Sequence, residues 1–340
     1  MIIMDPTQDA RWDRALPQSA TFFHSTAWAR ILNQTYGHTP LYLAVATSNQ
    51  LTPVLPVVEI NSRITGKRGV SLPFSDSCPK LETETVTDGL AFDTIIAEGR
   101  RRGWRSYESR DGNITSPTAF PSRTGYLHHL PLQPDSDKLF ARCTSAVRRA
   151  VRKAERAGLR VNIRQDFEAV RIFYALHVRT RRRFGLPPQP LAFFRNLHKE
   201  VISAGAGFVA LAEHACRAIA GGVFLLQGRN AIYKFGASDE SHQLLRGNNC
   251  VFWSSIRWLA ANGFERLDLG RTAPKHHGLR RFKQSWGTVE TSIPYTKYDL
   301  RCECFVTESE RTAGWHTHLF RRLPHCLNRF LGGALYAHLD

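Results

Sequence analysis

A chain of 340 residues with 42% apolar content is long enough for two domains, each burying its own core. The formal charge of +17 attracts phosphates, nucleic acid or an anionic membrane surface without choosing among them. No apolar run approaches the roughly 18 residues that cross a bilayer, and Met1 to Arg14 carries acids where a secretory signal would be basic and then apolar, so a cytoplasmic protein is expected. Seven scattered cysteines exclude a disulfide framework. Cys302-x-Cys304 with His316, His318 and Cys326 matches no common zinc spacing; no metal is expected, and Cys302 and Cys304 read as packed thiols on one strand face.

In chain order, Ser25 caps a short helix that ends before Tyr36-Gly37-His38. Strands follow at Leu41 to Ala46, turned by Ser48-Asn49-Gln50, at Pro53 to Ile60 and at Val70 to Phe74. Val86 to Arg101 is a helix closed by Gly103, and Arg105 to Arg110 is a strand. Asp137 to Gly158 reads as one basic amphipathic helix, with Leu139, Cys143, Val147 and Val151 on one face. Arg148, Arg149, Arg152, Lys153 and Arg156, five cations in nine residues, are either a solvated face or a grip for phosphate. Phe167 to Phe184 is a helix that runs into the stiff Pro187-Pro188-Gln189-Pro190 loop, and Ala192 to Ala204 is another.

The later part repeats the earlier order: strands at Phe208 to Ala212, Ala218 to Gln227 and Ala231 to Ala237, a helix at Asn249 to Ala261, then a strand at Arg266 to Gly270. Gly263-Phe264 mirrors Gly103-Trp104, which points to a duplication with a period of about 160 residues. Before the second-half helix, Arg246-Gly247-Asn248-Asn249 forms a polar loop, with Asn248 or Asn249 as the N-cap. Unpaired N–H groups of a first helical turn and the adjacent Arg246 suit a phosphate-bearing donor such as a coenzyme A thioester, although an ordinary capped helix reads the same way. The last 35 residues, with Trp315, Leu319, Leu323, Leu327, Phe330 and Leu331 among Arg311, Arg321, Arg322 and Arg329, suggest amphipathic helices docked on the protein or on anionic lipid.

The residues Phe22-Phe23-His24-Ser25, Trp28, Tyr36-Gly37-His38, Leu72-Pro73-Phe74-Ser75-Asp76, Arg148-x3-Arg152-Lys153-Ala154, Phe184-Gly185-Leu186-Pro187-Pro188, Asp268-Leu269-Gly270-Arg271 and Gly278-Leu279-x2-Phe282-Lys283 resemble the FemAB-like group of the GNAT acyltransferase superfamily. The resemblance implies an α/β fold of two tandem GNAT-like domains, each a mixed, mainly antiparallel sheet flanked by helices. They would span 1–135 and 136–305, with an amphipathic tail at 306–340. It implies transfer of an acyl or aminoacyl group from acyl-CoA or aminoacyl-tRNA, neither tightly held, to an amine of a cell-envelope or exopolysaccharide precursor. The family's Phe-Lys pair carries over onto Phe282 and Lys283. The long helical arm of many tRNA-dependent members is absent, and Asp111 stands near the position of their acid.

Attack by an amine needs a proton acceptor and donors for the developing oxyanion. Asp111, Asp268 and His276 are the candidate bases. Lys283 is the candidate oxyanion or phosphate ligand, with Arg271 and Lys275 nearby in sequence. Arg148, Arg149, Arg152, Lys153, Arg246, Gly247, Asn248 and Asn249 are the candidate donor-binding residues. A basic nucleic-acid-binding protein and a catalytically inactive scaffold are the competing readings.

Overall fold

The computed structural model describes every residue except 48–49, 82–85, 112–117, 309–319 and 339–340. The chain gathers into two compact units drawn from non-contiguous stretches: Met1–Gly125, Ser292–Arg311 and Ala337–Asp340 form one, and Tyr126–Thr291 with Thr312–Tyr336 form the other. The Ser48-Asn49 turn, Arg311, Trp315, His316, His318 and Leu319 lie outside the described residues.

In chain order the first unit contains β1 (Ile2–Met4), α1 (Arg11–Ala15), α2 (Thr26–Tyr36), β2 (Thr39–Pro40), β3 (Tyr42–Ala46), β4 (Leu51–Leu55), β5 (Val58–Ser62), β6 (Gly66–Val70), α3 (Asp88–Arg102) and β7 (Ser106–Arg110). Ser25 caps α2 as expected, its side chain accepting from the Trp28 N–H. The single return strand expected at Pro53 to Ile60 is instead two, β4 and β5, separated at Pro56, which has no N–H to give a ladder. β4 pairs with β3, and β5 pairs with β6. The strand expected to reach Phe74 stops at Val70, because Leu72 and Phe74 take left-handed φ values of 51° and 59°. That turn is held by Ser75, whose N–H and hydroxyl both donate to the Leu72 carbonyl. β6 and β7 are parallel, and β7 pairs antiparallel with the later strand Val289–Asp299 through Tyr295–Asp299. The buried Trp104 ring lies so close to Gly69 that a Cβ there would stand 2.1 Å from it.

The second unit contains β8 (Arg123–Pro131, from Tyr126 onward), α4 (Ser136–Arg142), α5 (Ser145–Arg156), β9 (Arg160–Arg164), α6 (Phe167–Arg183), α7 (Leu191–Leu197), β10 (Gly207–His214), β11 (Arg217–Gln227), β12 (Asn230–Ser238), α8 (Gly247–Ala261), β13 (Arg266–Thr272), α9 (His277–Gln284) and α10 (His325–Tyr336). Its strands run in the order β8-β13-β12-β11-β10-β9, with only β12 and β13 parallel among these pairs. The long basic helix expected from Asp137 is two helices. Cys143 ends α4, and the Thr144 side chain restarts the chain as the cap of α5, accepting from the Val147 N–H. The helix expected at Ala192 to Ala204 is α7 followed by one π turn at His198–Ile202. α5 and α8 press Val147, Val151, Val251, Ile256 and Leu259 into a core built on Phe208 and Phe224 of β10 and β11.

The duplication is visible in the closing bonds. Gly103 and Gly263 are both left-handed, at φ 75° and 78°. The next residue of each donates back over five positions, Trp104 N–H to the Gly99 carbonyl and Phe264 N–H to the Leu259 carbonyl. Each helix so closed connects the two parallel strands of its unit.

Protein docking, the default reading of the tail, holds for α10. Gly332 seats so tightly on the proline loop that a Cβ would stand 2.4 Å from the Pro188 carbonyl oxygen. Arg329 lies over the Tyr174 ring of α6, and the Tyr336 hydroxyl accepts from Arg181. Leu327 and Phe330, 42% and 74% exposed, face outward. No described helix is long and apolar enough to cross a membrane.

Candidate functional site

The loop before α8 has a geometry that differs from a capped helix start. Arg246 itself takes the N-cap position in left-handed conformation, φ 59°, and provides no side-chain hydrogen bond to the first turn. The expected Asn248 or Asn249 cap is not formed; Asn248 donates instead to the Ser238 hydroxyl. Gly247 is buried against β11, where a Cβ would meet the Ala220 methyl at 2.9 Å. The helix N-terminus is thus drawn onto the sheet with its positive end uncapped by a side chain.

Two openings meet there. One, of about 420 Å³, is lined by Ala146, Val147, Arg149, Ala150 and Lys153 of α5, with Arg246, Asn249 and Ser285. The other, of about 260 Å³, runs along Ser238, Asp239 and His242 to Gly247 and Asn248, and shares Arg246 and Asn249 with the first. Arg149 and Lys153 are one helical turn apart, and the small Ala146 and Ala150 leave room between them. Among the described residues, none of Arg149, Lys153 and Arg246 makes a side-chain hydrogen bond or ion pair. Three exposed cations therefore face one cleft at a helix N-terminus, an arrangement that stabilises a bound polyanion.

The other candidate cations stand elsewhere. Arg148 turns back to cap α4, donating to the Ala141 and Cys143 carbonyls at 3.0 and 2.5 Å. Arg152 lies over the Phe140 ring at 5.7 Å, beside a separate opening lined by Arg149, Arg152, Glu155 and Arg156. Lys275 is exposed in the loop before α9, as is His276.

Lys283 is buried on α9, only 5% exposed. Its Nζ donates to the Gly270 carbonyl at 2.7 Å and to the Arg271 carbonyl at 3.2 Å. Gly270 is left-handed, φ 74°, and Asp268 accepts from its N–H at 2.6 Å. That turn produces the register shift between Asp268 and Arg271 in the β13–β8 ladder. Asp268 therefore shapes the strand end to which Lys283 is bonded. Phe282 packs in the aromatic core, 5.7 Å from Phe252 and 6.2 Å from Trp286.

A polar cluster beside Lys283 was not legible in the sequence. Fully buried His128 on β8 meets Glu290 through Nε2 at 2.9 Å. Glu290 also accepts two bonds from Arg280, at 2.7 and 2.5 Å, and one from Gln284 at 3.0 Å. Arg280 in turn lies 3.8 Å over the Tyr126 ring. Burial, then the Lys283 ammonium, pushes His128 below the usual histidine range, while Glu290 opposes the shift. Hydrogen bonding from Arg280 holds Glu290 below the usual carboxylate range. With His128 and Glu290 separated by 162 positions in sequence, only the alternation of Val289 to Asp299 could have hinted that a strand lay there.

Asp111 belongs to the first unit. Its backbone is left-handed, φ 95°, and its N–H donates to the Pro294 carbonyl. Burial pushes its carboxyl up to about 6, a value suited to taking up a proton near neutrality.

Residues 141–284 match the family described as an acetyltransferase (GNAT) domain. The fold as a whole is shared with solved structures. FemX is 14% identical, with 86% of this chain and 96% of that chain covered and a TM-score of 0.68. The C-terminal domain of a lysylphosphatidylglycerol synthetase from Agrobacterium fabrum is 14% identical, with 86% and 91% covered and a TM-score of 0.55. A tandem GNAT protein from the clavulanic acid biosynthesis pathway is 10% identical, with 88% and 98% covered and a TM-score of 0.54. No curated protein matches by sequence. Residues 141–284 are therefore similar to an acetyltransferase (GNAT) domain, and the chain shares its fold with FemX and with a tandem GNAT protein.

Proposed function

We propose that the enzyme moves an acyl or aminoacyl group from acyl-CoA or aminoacyl-tRNA to an amine of a cell-envelope or exopolysaccharide precursor. The observation that carries this reading is the cleft where Arg149, Lys153 and Arg246 face the start of α8 without partners among the described residues. A coenzyme A pyrophosphate and the phosphates of a tRNA acceptor end share the chemistry that such a cleft recognises. In this reading Arg246, Gly247, Asn248 and Asn249 cradle the donor phosphate, and Arg149 and Lys153 neutralise it. Arg148 and Arg152 support the helix that presents them.

The chemical step needs the acceptor nitrogen to lose a proton as it attacks the donor carbonyl, and the carbonyl oxygen to be stabilised while it is negative. We assign the oxyanion role to Lys283. The Gly270 and Arg271 carbonyls hold its ammonium, and Phe282 and Asp268 fix the helix and strand that carry it. Asp268 and His276, in the same unit as Lys283, are the base candidates. Arg271 and Lys275 are proposed to favour an anionic acceptor. The outward face of α10 is proposed to meet anionic lipid when the acceptor is membrane-borne.

A thermal-shift comparison separates the donors. Acetyl-CoA at a hundredfold excess over its Kd stabilises the native state by about 2.7 kcal/mol, so it should raise the melting temperature by several degrees. Charged and uncharged tRNA are tested alongside. If none of the three ligands moves the transition, the donor cleft is wrongly assigned.

A further inference from the structure

Cys302 and Cys304 lie apart from the acyl-transfer machinery. They flank Glu303 in the turn between the Val289–Asp299 strand and the short strand Cys304–Phe305, all within the first unit. Both thiols are exposed, not packed as the sequence pattern suggests. The cause is local. Glu303 is left-handed, φ 51°, so only Cys304 joins the ladder, opposite Asp299, while Cys302 stays in the turn. Two residues of an extended strand would carry the positions roughly 6.6 Å apart along one face. The bend at Glu303 instead brings Sγ to Sγ at 2.8 Å.

The turn is held from several sides. Asp299 accepts from the Arg301 N–H at 2.9 Å, Glu303 pairs with Arg100 of α3 at 2.6 Å, and Phe305 packs on the rings of Phe92 and Tyr298. A chelated metal is the obvious alternative occupant. Sulfurs sharing one tetrahedral zinc stand roughly 3.7 Å apart, given bonds of about 2.3 Å. The two sulfurs are closer than that, and no group of three His, Cys, Asp or Glu suited to a metal occurs among the described residues. A disulfide, at about 2.05 Å, asks for an approach of under about 1 Å.

We propose that Cys302 and Cys304 form a redox-active dithiol that closes to an intramolecular disulfide by exchange with a low-molecular-weight disulfide. One of the two cysteines attacks as its thiolate, forming a mixed disulfide and expelling one small thiol. The other, 2.8 Å away, then loses its proton and displaces the second small thiol as the internal S–S bond forms. Two electrons pass from the pair to the small disulfide, and the two cysteine protons end on the released thiols.

The test uses the full-length protein in mixtures of reduced and oxidised glutathione, followed by alkylation, trypsin digestion and mass measurement of the peptide from Cys302 to Arg311. The expected closed peptide escapes alkylation, weighs about 2 Da less than the dithiol form, and is restored by dithiothreitol. Cys216, a single exposed thiol in the β10–β11 hairpin, should take up glutathione as a mixed disulfide under the same conditions. Cys302→Ser and Cys304→Ser should each leave the remaining thiol as a glutathione adduct, with melting temperatures unchanged because both side chains are exposed. A wild-type peptide that carries glutathione or stays reduced at every ratio, with no closed form, overturns the proposal.

Discussion

Replacing Lys283 with Met keeps the length and apolar stem of the side chain and removes its ammonium. Two hydrogen bonds from a buried cation are lost, to the Gly270 and Arg271 carbonyls, each with a net value of about 1.5–3 kcal/mol. The desolvation penalty of the buried charge disappears with them and offsets part of the loss, leaving a destabilisation of about 2 kcal/mol. In a unit of roughly 190 residues, that lowers the melting temperature by about 4–8 °C, and the protein stays folded at 25 °C. If Lys283 also stabilises the oxyanion, donor turnover at 25 °C falls by about 10²–10³, far more than the change in folded fraction. Calorimetry and turnover of the donor found by thermal shift read the two effects separately. An unchanged melting temperature refutes the hydrogen-bond reasoning, and unchanged turnover refutes the catalytic role.

Other consequences are open to measurement. Burial raises the Asp111 carboxyl to about 6 in the folded state, above its ordinary 3.8. The folded protein therefore binds more protons between those values, and Asp111 gives stability that is full below about pH 4 and lost as pH rises through about 6. The difference in melting temperature between wild type and Asp111→Asn should change over pH 4–6 and be flat above pH 7; a flat difference throughout contradicts the shifted pKa. Gly332→Ala places a Cβ 2.4 Å from the Pro188 carbonyl oxygen, so α10 should lift from the proline loop. Limited proteolysis should then cut between residues 320 and 336 faster than in wild type, and an equal rate denies the docking. Leu327→Ser with Phe330→Ser should weaken sedimentation with phosphatidylglycerol vesicles by at least about tenfold, and equal sedimentation removes the lipid assignment.

Much of the second unit could be read from sequence because its segments obey one period at a time. The three strands from Phe208 to Ala237 and the helix before Gly263 appear within a few residues of their expected limits. The misreadings have local physical causes. Apolar periodicity runs unbroken through Cys143, but the Thr144 hydroxyl captures the Val147 N–H and starts a new helix. Asn248 and Asn249 are good caps by residue type, yet the left-handed Arg246 takes that position and Asn248 turns to Ser238. Cys302 and Cys304 have strand spacing, and the single left-handed residue between them cancels it.

The candidate site divides along the same lines. Arg149, Lys153 and Arg246 could be named from composition, but their convergence depends on α5 and α8 packing against one core. The same helix sends Arg148 to the α4 carbonyls, which a count of charges cannot foresee. His128 and Glu290 were beyond reach, because what joins them is strand placement across 162 residues.

The most direct test is calorimetric titration of a non-hydrolysable acyl-CoA analogue into the wild type and into Arg149→Gln, Lys153→Gln and Arg246→Gln, at two salt concentrations. The account predicts saturable, salt-sensitive binding that each substitution weakens about tenfold while the melting temperature of the unliganded protein is kept. Binding of equal strength in all four proteins would place the donor elsewhere and contradict the account.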